Sequence, residues 1–516
     1  MVYSNQNAAF RNDKHQFFSQ IATINNIDVK IEAIDTRTQT IGYSFLLQNQ
    51  QALELEFTEM FAVLQKKDKN KEVFWLYCYY CASLLEAFYR AYSQHGKEAH
   101  FKNIKKEIKQ RLTVGKTVSP GEEAFIDTLY HSFLSGFRNL VKSPFHVSQI
   151  RDYVAYANLC RIYWVFCRLT LTQGLTIAKE LQLIEKLDMI LGTHTDVDKI
   201  IAVFQAPIGV INYFSVGFFL IRFMIDGGLL LRHTFFPSAL EKGGANGCEV
   251  TTRFERFKSE LYKRHCNFAN DFVWATVNFL TNFNHITKIP GPIAGYITSV
   301  FLIFDIGMTL YKCRLAKQEY LLKKAQYLEE IAAYETNSQI SAEQKSLHIE
   351  MLQKQLIELE ISWRTKEATF HFCAAAAALL CIGFTASMLV SPPLLIAAIF
   401  FTCTFAVAMY LSSGAYSSYK EKGFYLEQAQ GINLAAAQKE YEIARNEFIF
   451  SLTKNTLMPM ILITTFAICW PAAVVLTAMY VGYELFHAYS QHSNGKIVKQ
   501  LTLEAAVDET ACLVSP

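Results

Sequence analysis

The residues best able to do chemistry are few and scattered. Cys78-Tyr79-Tyr80-Cys81 has the spacing of a thiol redox pair or of half a zinc site. A structural zinc needs four ligands, and neither a second cysteine pair nor a histidine cluster accompanies it, so the two thiols read as core. Gly115-Lys116-Thr117 ends like a phosphate-binding loop, yet the glycine required five positions upstream is Gln110. The 13 histidines form no His-Glu-x-x-His or similar grouping. No catalytic residue, metal site or cofactor site is nominated. Four charges in apolar surroundings remain: Arg222, Asp226, Asp305 and Glu484. A charge at the centre of a bilayer costs about 2.5–3.5 kcal/mol on insertion scales. Such residues therefore mark either an ion path or an interfacial, structural role, and the second is the reading preferred for Asp305 and Glu484.

The elements that must position these residues are apolar. Hydrophobic residues make up 51% of the chain and charged residues 18%, with 40 Phe and 26 Tyr, more bulk than a soluble surface absorbs. A net charge of +3 excludes a general nucleic-acid binder. Ala368–Tyr419 contains no Asp, Glu, Lys or Arg and is long enough for two spans of about 20 residues. Ser391-Pro392-Pro393 is the expected turn between arms Phe372–Val390 and Leu394–Leu411. Asn455–Tyr483 is also free of these charges, Ile289–Tyr311 carries only Asp305, and Ile200–Leu231 contains Arg222 and Asp226. With Pro292, Pro393 and Pro471 in register, Phe304, Phe405 and Tyr483 align, followed by Asp305, Ala406 and Glu484. This reads as a repeated helical hairpin.

Between the hairpins the period changes. Leu321, Ala325, Leu328 and Ala332, then Ile349, Leu352, Leu356, Leu359 and Trp363, recur at three- and four-residue spacing among charges, as in short coiled-coil arms. Ser341 with Gln344 predicts a helix N-cap between them. Tyr416–Phe448, with a turn at Gly431, reads as a shorter version. Lys312, Arg314, Lys317, Lys323 and Lys324 crowd one end of a hairpin, which places the arms and both termini in the cytosol. Upstream, Val73–Tyr92, Gly121–Lys142 and Val147–Leu171 read as helices of a soluble core, and Ile27–Ile34 alternates like a strand. Lys102, Lys105, Lys106 and Lys109 could meet an anionic lipid surface.

The expected fold is all-α. Residues 1–195 form a helical cytosolic domain, and 196–271 a first apolar segment, re-entrant or spanning, with a basic connector. A membrane hairpin at 272–311, a coiled-coil stalk at 312–367 and a second hairpin at 368–419 follow. A short helical stalk at 420–447, a hairpin or single span at 448–490 and a cytosolic tail at 491–516 complete the chain.

Glu260–Phe283 (Glu-Leu-Tyr-Lys-Arg-His-Cys-Asn-Phe-Ala-Asn-Asp-Phe-Val-Trp-Ala-Thr-Val-Asn-Phe-Leu-Thr-Asn-Phe), Pro292-Ile-Ala-Gly-Tyr296 and Leu231-Arg-His-Thr-Phe-Phe-Pro237 resemble uncharacterised multi-pass proteins of Legionella-type intracellular bacteria. The tail, with Glu504, Asp508 and Glu509 before Leu513 and Val514, is similar to those of substrates of the Dot/Icm type IV secretion system. The resemblance implies an effector inserted in a host membrane, and brings no active-site motif. The expectation is a non-enzymatic membrane protein whose residues 312–367 engage cytosolic protein partners. The alternative is a hairpin-repeat transporter or channel using Arg222, Asp226, Asp305 and Glu484.

Overall fold

The computed structural model describes residues 2–21, 26–66, 72–92, 94–114, 147–192, 194–205, 208–236, 252–336, 341–429 and 433–468, with isolated positions at 475, 476, 479 and 483. All regular structure among them is helical. In chain order the helices are α1 (Val2–Ile21), α2 (Ile27–Thr40), α3 (Tyr43–Lys66), α4 (Glu72–Ala91), α5 (His95–Val114), α6 (Val147–Glu180), α7 (Leu183–Leu191) and α8 (Val197–Gln205). Then come α9 (Ile208–Phe235), α10 (Arg253–Asn282), α11 (Asn284–Thr287), α12 (Gly291–Thr336), α13 (Ala342–Ser387), α14 (Pro393–Leu411), α15 (Ser413–Gln428) and α16 (Asn433–Ile468). Gly115-Lys116-Thr117, Gly121–Lys142, Gly431, Pro471, Glu484 and the C-terminal tail lie outside the described residues.

The chain divides into two compact units: residues 1–150, 224–265 and 317–360 form one, and 151–223, 266–316 and 361–516 the other. In the first unit α4 is the central helix, buried on nearly every face from Phe74 to Glu86. Phe17 of α1 stacks on Tyr80 with ring centroids 4.8 Å apart. The expected strand at Ile27–Ile34 is instead the start of α2. Asn26 Oδ1 accepts the Asp28 backbone N–H at 2.9 Å and caps the helix. Ile31 and Ile34 are buried three residues apart, whereas Val29, which a strand would have buried with Ile31, is exposed.

Residues 151–195, expected in the N-terminal domain, fall in the second unit. Phe166 and Cys167 of α6 are buried with Leu302, Leu380, Cys403, Ala406 and Val407. Helices α13 and α14 are joined by the expected Pro392-Pro393 turn, with Pro393 at the first position of α14. A Cβ at Gly383 would lie 2.8 Å from Cys403 Sγ, so the missing side chain lets these two helices approach. Phe372 of α13 and Tyr416 of α15 stack at 4.0 Å, and Phe448 of α16 packs edge-on against both. Among the described residues three helices are long and apolar enough to cross a membrane: Ile293–Thr336, Ala342–Ser387 and Pro393–Leu411.

Candidate functional site: buried ion networks and an exposed heptad seam

Within the first unit, Lys317–Glu360 folds as two antiparallel arms, the end of α12 and the start of α13. Ser341 Oγ accepts the Gln344 backbone N–H at 3.3 Å, capping the second arm as its sequence predicts. Leu352 and Leu359 are buried against Tyr327 and Tyr334, with Ile349 and Leu356 beside them. The second arm thus packs on its heptad face. The first arm does not. Leu321 and Leu328 are each 50% exposed, and Ala325 and Ala332 are exposed with them. Tyr327, Tyr334, Lys323, Gln326 and Glu330 are buried in their place.

The reason is a charged network that holds this face inward. Glu56, fully buried on α3, accepts Lys14 Nζ at 2.8 Å and Lys323 Nζ at 2.6 Å on its two oxygens. Lys14 also reaches Glu330 Oε2 at 2.7 Å, and Gln326 Nε2 donates to Glu330 Oε1 at 2.8 Å. Gln355 of α13 donates to Glu56 at 3.3 Å and to the Tyr327 hydroxyl at 3.4 Å. Two lysines and two glutamates balance. Burial raises the Glu56 pKa, but Lys14 and Lys323 together outweigh it and bring it down to about 2. Burial likewise lowers the Lys14 pKa, and Glu330 with Glu56 raises it further than burial lowers it. Lys323, expected as a surface charge marking orientation, is an internal ion.

Next to this network His348 of α13 is enclosed by rings. It stacks on Tyr334 at 4.7 Å and meets Phe18 and Phe74 edge-on at 4.7 and 5.2 Å. Burial, with the positive charge of Lys14 and of His15, lowers its pKa to about 4.

The three sequence-predicted charges among the described residues have partners on one helix, α10. Arg222 pairs with Asp271 at 3.0 Å, Asp226 with Arg264 at 3.6 Å, and Asp305 accepts the Trp274 indole N–H at 2.7 Å. Arg264 also pairs with Glu260 and donates to the Tyr92 hydroxyl, which donates to Glu260 at 2.6 Å. Arg222 and Asp305 therefore belong to separate pairs. Asp271, Arg264 and Trp274 were not foreseen, although Asp271 and Arg264 lie seven residues apart, two turns of one face. Thr252 and Glu255 form a full capping box at the start of α10, at 3.0 and 3.2 Å.

Cys78 and Cys81 are fully buried, and burial holds both thiols protonated. Among the described residues no group of three His, Cys, Asp or Glu is placed to hold a metal ion. On α5, Lys102, Lys106 and Lys109 are exposed, whereas Lys105 turns inward to Glu86 at 3.1 Å and Asp35 at 3.6 Å. The basic face is one lysine poorer than its sequence implies. Comparison with protein-family models, with curated proteins and with solved structures finds no match.

Proposed function

We propose that the chain is a multi-pass membrane protein that acts by binding a partner helix through the outer face of its heptad hairpin. The observation that carries this reading is the exposed seam Leu321, Ala325, Leu328 and Ala332. Apolar residues at that spacing are the complement of another helix, and here the hairpin closes on a different face, which leaves the seam open. The surrounding surface carries Lys317, Glu329, Glu335 and Glu343, the charged flanks of a coiled-coil interface in water rather than of a lipid contact. The three long apolar helices support anchorage in a bilayer. In this reading the seam faces the cytosol of a host cell, into which the protein is delivered as a secreted effector. The resemblance of residues 200–330 and of the tail supports that delivery. The paired charges of α9 and α10 then hold helices together rather than conduct ions.

The test is the double change Leu321→Ser and Leu328→Ser in the full chain. Loss of partner capture with unchanged helical content and membrane association is the expected result. Capture that survives both changes would remove the seam from the account.

A further inference from the structure

Helices α9 and α10 are built inside out for a protein in water. Tyr213 packs on Phe283, Phe219 on Trp274, Phe223 on Phe268 and Asp226 on Arg264, so α9 and the chain through α10 run antiparallel. The inner faces are ionic: Asp226, Glu260, Arg264 and Asp271 are all buried. The outer faces are apolar, with Met224 63% exposed and Phe272 60%. Charges turned inward and paired, with large side chains outward, is the distribution expected of helices surrounded by lipid. Between residues 208 and 231 the charges of α9 are Arg222 and Asp226, and between 266 and 282 the charge of α10 is Asp271. All three are paired inward.

The dimensions agree. Tyr213 to Leu231, both exposed, spans roughly 27 Å of helix, close to the ~30 Å hydrocarbon core of a bilayer. Beyond it the pattern changes. Phe235, Phe236 and Phe254 are exposed beside Arg232, Arg253 and Lys258, the mixture of rings and basic groups found at headgroup level. Arg256 Nη2 donates to the Thr234 carbonyl at 3.5 Å, which keeps these two helix ends together.

The geometry points to α9 and α10 as an additional lipid-embedded helix pair, with Met224 and Phe272 against acyl chains and Phe235, Phe236 and Phe254 at the headgroups. Their internal ion pairs raise the charge content and keep both helices out of the three most apolar ones, although the α9 stretch reads as apolar in the sequence. This inference rests on the membrane reading of the chain but concerns helices outside its three apolar spans.

The experiment uses the full chain in phosphatidylcholine–phosphatidylserine vesicles, with a nitroxide attached at Met224, Phe272 or Val29, one site at a time. Collisions with oxygen should exceed those with a nickel chelate at Met224 and Phe272, and the order should invert at Val29, exposed on α2. Chelate access at Met224 and Phe272 would overturn the inference, as would inaccessibility to both probes, which would mean cover by protein or a second copy. The unaltered chain supplies a second measurement: a lipid with a photoreactive acyl chain should label peptides of α9, α10 and α14. Labelling of α14 without α9 and α10 would overturn this inference alone, and labelling of none would overturn the membrane reading itself.

Discussion

Replacing Glu56 with Gln removes the carboxylate that pairs with Lys323 at 2.6 Å, and leaves that ammonium buried with Gln326 Oε1 at 3.5 Å. Breaking a buried pair by deleting one partner costs about 3–5 kcal/mol, because the remaining charge is uncompensated. Gln keeps the shape, so no cavity adds to the cost. The hairpin Lys317–Glu360 is held to α1 and α3 through this carboxylate, and its amides should report the loss. Hydrogen exchange of the full protein in detergent should accelerate there by roughly two to three orders of magnitude, at about 1.4 kcal/mol per tenfold. Converting the whole set (Lys14→Met, Glu56→Leu, Lys323→Met, Glu330→Leu) should restore protection to within about tenfold, since apolar replacement of a buried ion set is often neutral or stabilising. Unchanged exchange in Glu56→Gln, or failure of the quadruple change to recover any protection, would refute the view that the network fixes which face of α12 is buried.

Acidification should loosen the same hairpin. The folded His348 pKa, about 4, lies below its ordinary 6.5, so this group's contribution is complete above pH 6.5 and is lost as pH falls through about 4. The loss is on the order of 3 kcal/mol, visible as faster exchange, and His348→Phe should flatten the profile over that window. Serine at Leu352, Leu356 and Leu359 should cost about 1.5–3 kcal/mol per fully buried side chain and melt the hairpin, with membrane association retained. Asp305→Asn should leave membrane association and partner capture unchanged; loss of an ion flux in that variant would favour the transporter reading. Thr252→Ala should fray the start of α10 by about 1 kcal/mol, seen as exchange confined to its first turn.

Helical content, the Pro392-Pro393 turn and the second heptad arm were legible because each follows from spacing or from proline geometry alone. The first arm was not, because its buried face carries Lys323, Gln326 and Glu330, residues that an apolar pattern assigns to solvent. Glu56 and Lys14, each more than 250 residues away in the chain, supply the opposite charges that balance this burial. Ile27–Ile34 misleads for the opposite reason: its short alternation suggests a strand, whereas Asn26 and Asp28 supply a helix cap and its first-turn acid. Residues 151–195 look soluble by their arginines, yet Phe166 and Cys167 are buried with the apolar helices. Of the candidate site charges, Arg222, Asp226 and Asp305 were visible as exceptions in apolar runs. Their partners Asp271, Arg264 and Trp274 were not, since α10 reads as a polar connector until its ionic face is seen to point inward.

The central claim is that the Leu321–Ala332 seam docks a partner helix while the hairpin stays closed. A photoreactive benzoylphenylalanine at position 328 of the full chain, in the membrane of intact cells, addresses it directly. The predicted result is a crosslink to a second protein, mapped to a peptide with apolar residues at three- and four-residue spacing, and abolished by Leu321→Ser. Adducts confined to lipid or to this chain's own helices would contradict it.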